Sequence, residues 1–377
     1  MQHYLIKYVK EILEDYNGKQ PLIKYLKGFY KKEKQLGKRD RNAITSALFE
    51  IYRYAAVNAK KTIYPLKIIE DSKNKNDFYY WKFLLENRIE AEFINDLKID
   101  LNYGFLLKED NLKFSKGFTI QDFKELINNQ SKVFFRIKNS DKEVSNFEKI
   151  NLDGIPVFYT EKDTKLDQFF SEENYIIQDL SSQKSLIKAW QLLEIKEKEE
   201  IHVWDVCAGA GGKSLLLQDL HDNISITATD VRKSILIELQ RRQNLYFKNR
   251  NKIYSFNWDV AKSCPNNVPK QDVVLIDAPC SGSGTWGRSP ERKVFFEKNE
   301  WKTLQNLQKN IIKNAAEKVK EDAWLIYITC SVFYEENEAV VQDFLNNNLN
   351  FTSVYQELII GNEHKADSLF YAVLKRK

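Results

Sequence analysis

Two cysteines and an aspartate are the residues of this 377-residue chain best suited to chemistry. Cys280 stands in DVVLIDAPCSGSGTWG (272–287), Cys330 stands in IYITCSVFYEENEAVV (326–341), and each closes an apolar, strand-like run. Asp277 lies three residues before Cys280. A thiolate is a strong nucleophile, and a helix N-terminus just beyond it lowers its pKa. One cysteine at a strand end is most often a packing residue. Two at strand ends, one beside a carboxylate, point to covalent catalysis. Pro279 fixes its own φ and biases Ala278 towards extended geometry, while Gly282 and Gly284 permit tight turns beyond the thiol.

A second constellation is Cys207-Ala208-Gly209-Ala210-Gly211-Gly212-Lys213-Ser214, which ends a strand-like run and leads into helical LLLQDL. Its glycines allow the backbone to approach a ligand at a helix N-terminus. A Walker loop would need glycine at Cys207, and a dinucleotide fingerprint would need Gly or Ala at Ser214. A nucleoside ligand without a polyphosphate therefore fits better than a nucleotide. Asp230, about 20 residues on, is placed to accept hydrogen bonds from ribose hydroxyls. Asp259, after the next run, is placed to bind an adenine amino group. Each also reads, alone, as an ordinary loop or cap aspartate.

The elements that position these residues begin after Gln178. IHVWDVC, ISITATD, KIYSFNW, DVVLIDA and WLIYITC are short apolar runs separated by helical patterns or loops. That alternation predicts an α/β fold with a parallel, doubly wound sheet, whose ligands bind outside the carboxyl ends of the strands. Cys207, Asp230, Trp258, Asp259, Asp277, Cys280 and Cys330 all fall at those ends. Upstream, YLIKYVKEIL and ITSALFEIYRYAAV carry helical spacing, with Asp40 placed to cap the second helix. DSKNKND reads as a linker before further helix at FYYWKFLLENRIEAEF. SKVFFRIKN and GIPVFYT read as two strands flanking a short helix around Val144 to Ile150, a compact α+β unit.

Composition narrows the function classes. The net charge is +5, yet Lys19, Lys24, Lys27, Lys31, Lys32, Lys34, Lys38, Arg39 and Arg41 face only Glu33 and Asp40, with Tyr25, Phe29 and Tyr30 interleaved. Such a segment can follow a phosphate backbone, or form a solvated helix face. The four cysteines lack a C-x-x-C pair and the four histidines are scattered, which argues against a disulfide framework and against a metal site. No apolar run is long enough to cross a membrane and no signal peptide is evident, so a soluble cytoplasmic protein is expected.

The ordered stretches QDLSSQ (178–183), DVCAGAGGKS (205–214), TATD ending at Asp230, DVVLIDAPCSGSGTWGRSPE (272–291), YITCSVFYEENE (327–338) and DSLFYAVLKR (367–376) resemble the Sun/Fmu-type (RsmB-like) RNA cytosine-C5 methyltransferases. The resemblance implies a class I methyltransferase, Rossmann-like domain over 176–377 with S-adenosylmethionine as cofactor. It implies that Cys207, Ala208, Gly209, Ala210, Gly211, Gly212, Lys213, Asp230, Asp259 and Asp277 contact that cofactor. It also implies that Cys330 is the nucleophile and that Cys280 assists product release. The family's first loop usually reads CAAPGGK, where this chain has Gly209-Ala210 in place of Ala-Pro. The terminal motif more often carries Gly-Phe where Ser368-Leu369 stand. GKRDRNAITSALFEIYRYA resembles a NusB-like RNA-binding domain, here expected over 1–125, and SKVFFRIKN resembles a small RRM-like unit, here expected over 126–175. These favour ribosomal RNA, 16S in particular, over transfer RNA, and a monomeric enzyme is expected.

On that resemblance, the Cys330 thiolate adds to carbon 6 of a flipped or single-stranded cytosine. Asp277 holds the base and shares the proton at N3, and Arg288 and Arg292 are candidate phosphate contacts. Two rivals make distinct predictions. A DNA-type enzyme with a Pro-Cys nucleophile would attack through Cys280, and a non-catalytic RNA-binding assembly factor would not bind S-adenosylmethionine.

Overall fold

The computed structural model describes residues 2–54, 112–138, 147–161, 164–195, 200–247, 253–297 and 299–377. The predicted linker at 71–77 and helix at 78–93 lie outside these residues. The chain forms two compact units, one of residues 1–112 with 286–298 and the other of residues 113–285 with 299–377. The division is not the linear one expected from the sequence, because the stretch just beyond the Cys280 loop belongs with the N-terminal helices.

In the first unit, α1 (Gln2–Asp15), α2 (Leu22–Lys32) and α3 (Lys38–Tyr54) bury Ile12, Leu22, Ile44 and Leu48 completely. Asp40 serves the start of α3 from inside its first turn, its Oδ2 accepting a hydrogen bond from the Gly37 amide at 3.2 Å. Segment 286–298 is fixed by the buried Arg53, whose Nη1 donates to the Gly287 carbonyl at 2.7 Å. Lys293 donates in turn to the Arg53 carbonyl. Phe295 closes this core edge-on against Tyr16, with ring centroids 5.2 Å apart. Tyr25, Phe29 and Tyr30 pack on the same core, whereas Lys24, Lys27, Lys31 and Lys32 are exposed. The aromatics of the basic segment are thus structural supports for a cationic face.

The second unit begins with α4 (Ile120–Asn128), capped reciprocally by Thr119 and Asp122. A four-stranded antiparallel sheet follows: β1 (Val133–Ile137), β2 (Glu148–Leu152), β3 (Ile155–Thr160) and β4 (Tyr175–Ile177), in the order β2-β3-β1-β4. The short helix expected around 144–150 is overturned at its C-terminal half, since Glu148–Leu152 is a strand; residues 144–146 lie outside the described residues. The cause is the Asp153-Gly154 turn, both residues at positive φ, which returns β2 directly into β3 as a two-residue hairpin. Phe134, Val157 and Ile176 face the main core, while Phe135, Phe158, Leu166 and Phe170 form a small core on the other side.

The main sheet comprises β5 (Ile201–Asp205), β6 (Ile224–Asp230), β7 (Tyr254–Asn257), β8 (Gln271–Asp277), β9 (Val319–Thr329), β10 (Phe351–Ile359) and β11 (Leu369–Arg376), in the order β10-β11-β9-β8-β5-β6-β7. The five predicted strands are β5 to β9, and they run parallel. Helices α5 (Leu180–Gln191), α6 (Gly212–Leu220), α7 (Lys233–Tyr246), α8 (Glu300–Ala316) and α9 (Glu338–Asn347) accompany them. Strands covered on both faces read as continuous apolar runs, and Val273 to Ile276 are fully buried. The sheet departs from an all-parallel one at β11, which pairs antiparallel with both β9 and β10. The connection 360–368 is shorter than the roughly dozen residues that a parallel crossover needs, so the chain must double back. The strand order reverses between β5 and β8, which opens a crevice at their carboxyl ends.

Candidate active site

That crevice is where the chain spends its polar side chains. β8 and β9 are adjacent and parallel, with Asp277 opposite Ile328, so the loops that follow them start side by side. Cys280 and Cys330, fifty positions apart in the sequence, come together with their Sγ atoms 3.3 Å apart. The hydrogen bond with Cys330 and burial together push the Cys280 thiol well above the ordinary cysteine value. Cys280 therefore favours its protonated form, and either sulfur can donate in the contact between them.

Asp277 is paired. Lys213, at the start of α6, places its buried Nζ 2.7 Å from Asp277 Oδ2 and 3.4 Å from Ser182 Oγ. Lys213 thus belongs as much to Asp277 as to the glycine loop. Nothing in a linear reading joins residues 64 positions apart.

The glycine loop turns at Gly209 and Gly211, both at positive φ. Gly211 also lets the loop lie against α7, since a Cβ there would stand 2.7 Å from Leu239 Cγ. Several loop amides are already engaged: Ala208 N–H donates to the Thr229 carbonyl, Gly209 N–H to Asp230 Oδ2 and Gly211 N–H to the Ala208 carbonyl. A phosphate cradle would need those donors. Arg242 Nη1 holds the loop from outside through the Ala210 carbonyl at 2.8 Å. Burial pushes the Cys207 thiol well up, so it lines the loop as an inert group.

Asp230 ends β6 as expected but is already engaged, because Arg232 Nε and Nη2 each lie 3.0 Å from one of its carboxylate oxygens. Burial opposes the charge on Asp230, yet the bonds from Arg232 and Gly209 outweigh it and hold its carboxyl below the usual range. The Arg232 side chain is 63% exposed, so it can leave the carboxylate to a competing hydroxyl at little packing cost. Asp259 follows β7 and pairs with the exposed Lys262 at 3.2 Å. The Trp258 amide donates to the Asp230 carbonyl, which keeps this loop beside the acid.

Two acids were not singled out from sequence. Asp205, the last residue of β5, is 1% exposed; Ser214 Oγ donates to its Oδ2 at 2.5 Å, and its Oδ1 has no hydrogen-bond partner among the described residues. Burial, reinforced by Asp277 and opposed by the Ser214 hydrogen bond, pushes its carboxyl up to about 7. Its position immediately before the glycine loop was the available signal. Glu336 is fully buried, in the acidic run EENE that follows Cys330. The orphaned Asp205 oxygen, the acids Asp230 and Asp277 and the spent loop amides together suit a cationic nucleoside such as S-adenosylmethionine. They do not suit a polyphosphate.

A folded-state pKa near 7 fixes a sign for Asp205. Below 3.8 both folded and unfolded forms carry the proton; as pH rises to about 7 the unfolded form ionises while the folded one retains it, so stability is lost across that window. Asp205→Asn removes this loss. Its urea midpoint should gain on that of the parent as pH rises from 4 to 8, and a constant difference would show that Asp205 does not titrate as stated.

Residues 190–375 match the sequence family described as 16S rRNA methyltransferase RsmB/F. Ribosomal RNA small subunit methyltransferase B of Proteus mirabilis is 28% identical over 215 residues, covering 55% of this chain and 47% of that protein. The 28S rRNA (cytosine-C(5))-methyltransferase of Mus musculus is 30% identical over 199 residues, covering 50% of this chain and 23% of that protein. The chain thus spans about half the length of the bacterial relative and less of the mouse one. A crystal structure of a methyltransferase homolog protein from Pyrococcus horikoshii superimposes with a TM-score of 0.53 at 20% identity, covering 68% of this chain and 90% of that one. With the strand order above, that likeness identifies the fold as the class I methyltransferase fold. Among the described residues no group of three or more His, Cys, Asp or Glu side chains is placed to hold a metal ion, and no helix is long and apolar enough to cross a membrane.

Proposed function

We propose that residues 190–375, which match the RsmB/F family, form a methyltransferase domain of that kind, and that the protein transfers a methyl group from S-adenosylmethionine to carbon 5 of a cytosine in RNA. The observation that carries this reading is the pair of thiols in contact beside Asp277. The glycine loop with Asp205, Asp230 and Asp259 would hold S-adenosylmethionine, which would supply an electrophilic methyl group. The chain's own residues do the rest. Cys330 bonds to carbon 6 of the cytosine, and the electron pair of the 5,6 double bond makes carbon 5 nucleophilic. Asp277, held by Lys213, hydrogen-bonds the ring and takes part in the proton balance at N3. Methyl transfer releases S-adenosylhomocysteine; carbon 5 then loses its proton to water, the electron pair reforms the 5,6 double bond, and the Cys330–carbon 6 bond breaks to give the Cys330 thiolate. Cys280, 3.3 Å away with its proton retained, stabilises the departing sulfur.

Ribosomal RNA, 16S in particular, is the substrate that the family and the relatives favour, met in the cytoplasm by a monomeric enzyme. The resemblance to a NusB-like domain gives the helical unit the task of holding RNA. There Lys27, Lys38 and Arg41 line a cavity of about 540 Å³ together with Tyr30, Asn42 and Thr45. Replacing all three cations by Ala should weaken RNA binding at every sequence and lower the slope of log affinity against log salt by about 2. Fluorescence anisotropy at several KCl concentrations reads both, and an unchanged slope would remove this unit from the RNA interface. The activity itself is tested by incubating the protein with S-adenosylmethionine and unmodified ribosomal or transfer RNA. Bisulfite sequencing should find one new 5-methylcytosine in ribosomal RNA. Methylation of transfer RNA alone would change the substrate, and no cofactor binding by calorimetry would leave only an RNA-binding role.

A further inference from the structure

The two thiol loops meet on one buried carboxylate. Glu336 Oε1 accepts hydrogen bonds from the Ser281 amide at 2.9 Å and from Gln308 Nε2 at 3.0 Å. Its Oε2 accepts from the hydroxyls of Ser281 and Ser331, both at 2.5 Å. Ser281 and Ser331 are the residues immediately after Cys280 and Cys330. One oxygen atom therefore fixes the residue following each sulfur. The rest of the arrangement holds Glu336 in turn: its carbonyl accepts from the Tyr327 hydroxyl of β9 at 2.8 Å, and Gln308 of α8 also donates to the Pro279 carbonyl at 2.9 Å. A carboxylate with no solvent exposure and four donors on its two oxygens is a fixed point, because moving any one donor leaves a buried charge short of a partner.

We infer that Glu336 is the positioning residue of the thiol pair: it clamps the Cys280 and Cys330 loops to a common anchor and thereby sets the contact between their sulfurs. The inference rests on the proposed two-cysteine chemistry for its consequence in turnover, but not for the geometry. Glu336 touches neither sulfur in the hydrogen-bond network; it acts through Ser281 and Ser331. Its charge also bears on the pair. Cys330, Glu336 and Tyr327 all face Cys280; burial raises the Glu336 carboxyl above its ordinary value, and when it is ionised its charge adds to the forces that keep the proton on Cys280. Among the residues facing Glu336, Tyr327 is buried and stays neutral, so it does not compensate the charge.

The test uses dibromobimane, which bridges two thiols only when they lie within a few ångströms, with peptide mapping to identify the Cys280–Cys330 bridge. The folded parent protein should give that bridge as the main product. Glu336→Ala should lower its yield about tenfold, with a fall in kcat of about a hundredfold and little change in the Kd for S-adenosylmethionine or the KM for RNA, since misplacement by about an ångström costs that much. Should Glu336→Ala fail to fold, the Ser281→Ala/Ser331→Ala protein removes the two hydroxyl donors while keeping the carboxylate, and should show the same split between kcat and KM. Glu336→Asp, which keeps the charge, should recover bridging better than Glu336→Ala. Parent-level bridging and kcat in folded Glu336→Ala or in the double serine variant would overturn the inference. A parent protein that bridges but methylates no RNA would instead overturn the proposed activity and leave the clamp standing.

Discussion

Cys280→Ala should accumulate a covalent protein–RNA adduct, visible as a band of reduced mobility that survives denaturation and disappears on nuclease treatment. Cys330→Ala should form none and lose methyl transfer by at least about 10⁴-fold. The two outcomes follow from one geometry. The sulfurs are in contact, and the hydrogen bond to Cys330 together with burial raises the Cys280 thiol above its ordinary value. On the proposed mechanism, removing Cys330 takes away the atom that would bond to carbon 6, whereas removing Cys280 would leave that bond able to form and take away the group that eases its breakage. An adduct trapped in Cys330→Ala would reverse the assignment and put attack on the Pro-Cys sulfur.

Gly284→Ala should inactivate the protein and destabilise it by about 2–3 kcal/mol, lowering the melting temperature by roughly 5–10 °C. A Cβ at this position would stand 1.9 Å from the Ser368 carbonyl oxygen and 3.1 Å from that of Cys330. Both are main-chain atoms and cannot turn aside as a side chain would. The backbone is also tied there, since Gly284 N–H donates to the Cys330 carbonyl and Ser368 N–H to the Gly284 carbonyl, each at 2.9 Å. The methyl group must therefore pry apart the two thiol loops and the segment leading into β11. Differential scanning calorimetry and methyl-transfer assays check it, and a fully active Gly284→Ala protein would mean that the three segments are not packed as described.

How much of this was legible in the sequence depended on the range of the interaction. β5 to β9 were readable because a strand covered on both faces must be apolar throughout, and the thiols were readable because they sit where such runs stop. β2 was not, because four of its five residues are exposed or half-exposed and EKINL gives no buried alternation. The antiparallel return of β11 depends on a connection length, not on the composition of the strand. In the site, Asp277 stood out beside Cys280, but its pairing with Lys213 spans two strands of the sheet. Glu336 was hidden by its neighbours, since a run of three acids within four residues suggests solvent until one of them is found beneath Ser281 and Ser331. Segment 286–298 followed the Cys280 motif so closely that contacts such as those of Arg53, Lys293 and Phe295 are needed to reveal which core it joins.

The place of β11 has a consequence for how the protein is made. It is the strand that leaves the ribosome after every other strand of its sheet, yet it lies inside the sheet between β9 and β10. Until it arrives, β10 has no neighbour to pair with, β9 presents a bare edge, and Ser368 is not yet there to cover Gly284. The nascent chain must therefore hold an open sheet and an unfinished thiol loop until residues 369–376 have emerged, then close both in one event. A chain that stops short of β11 therefore carries both cysteines without Ser368 and β11 packed around their loops.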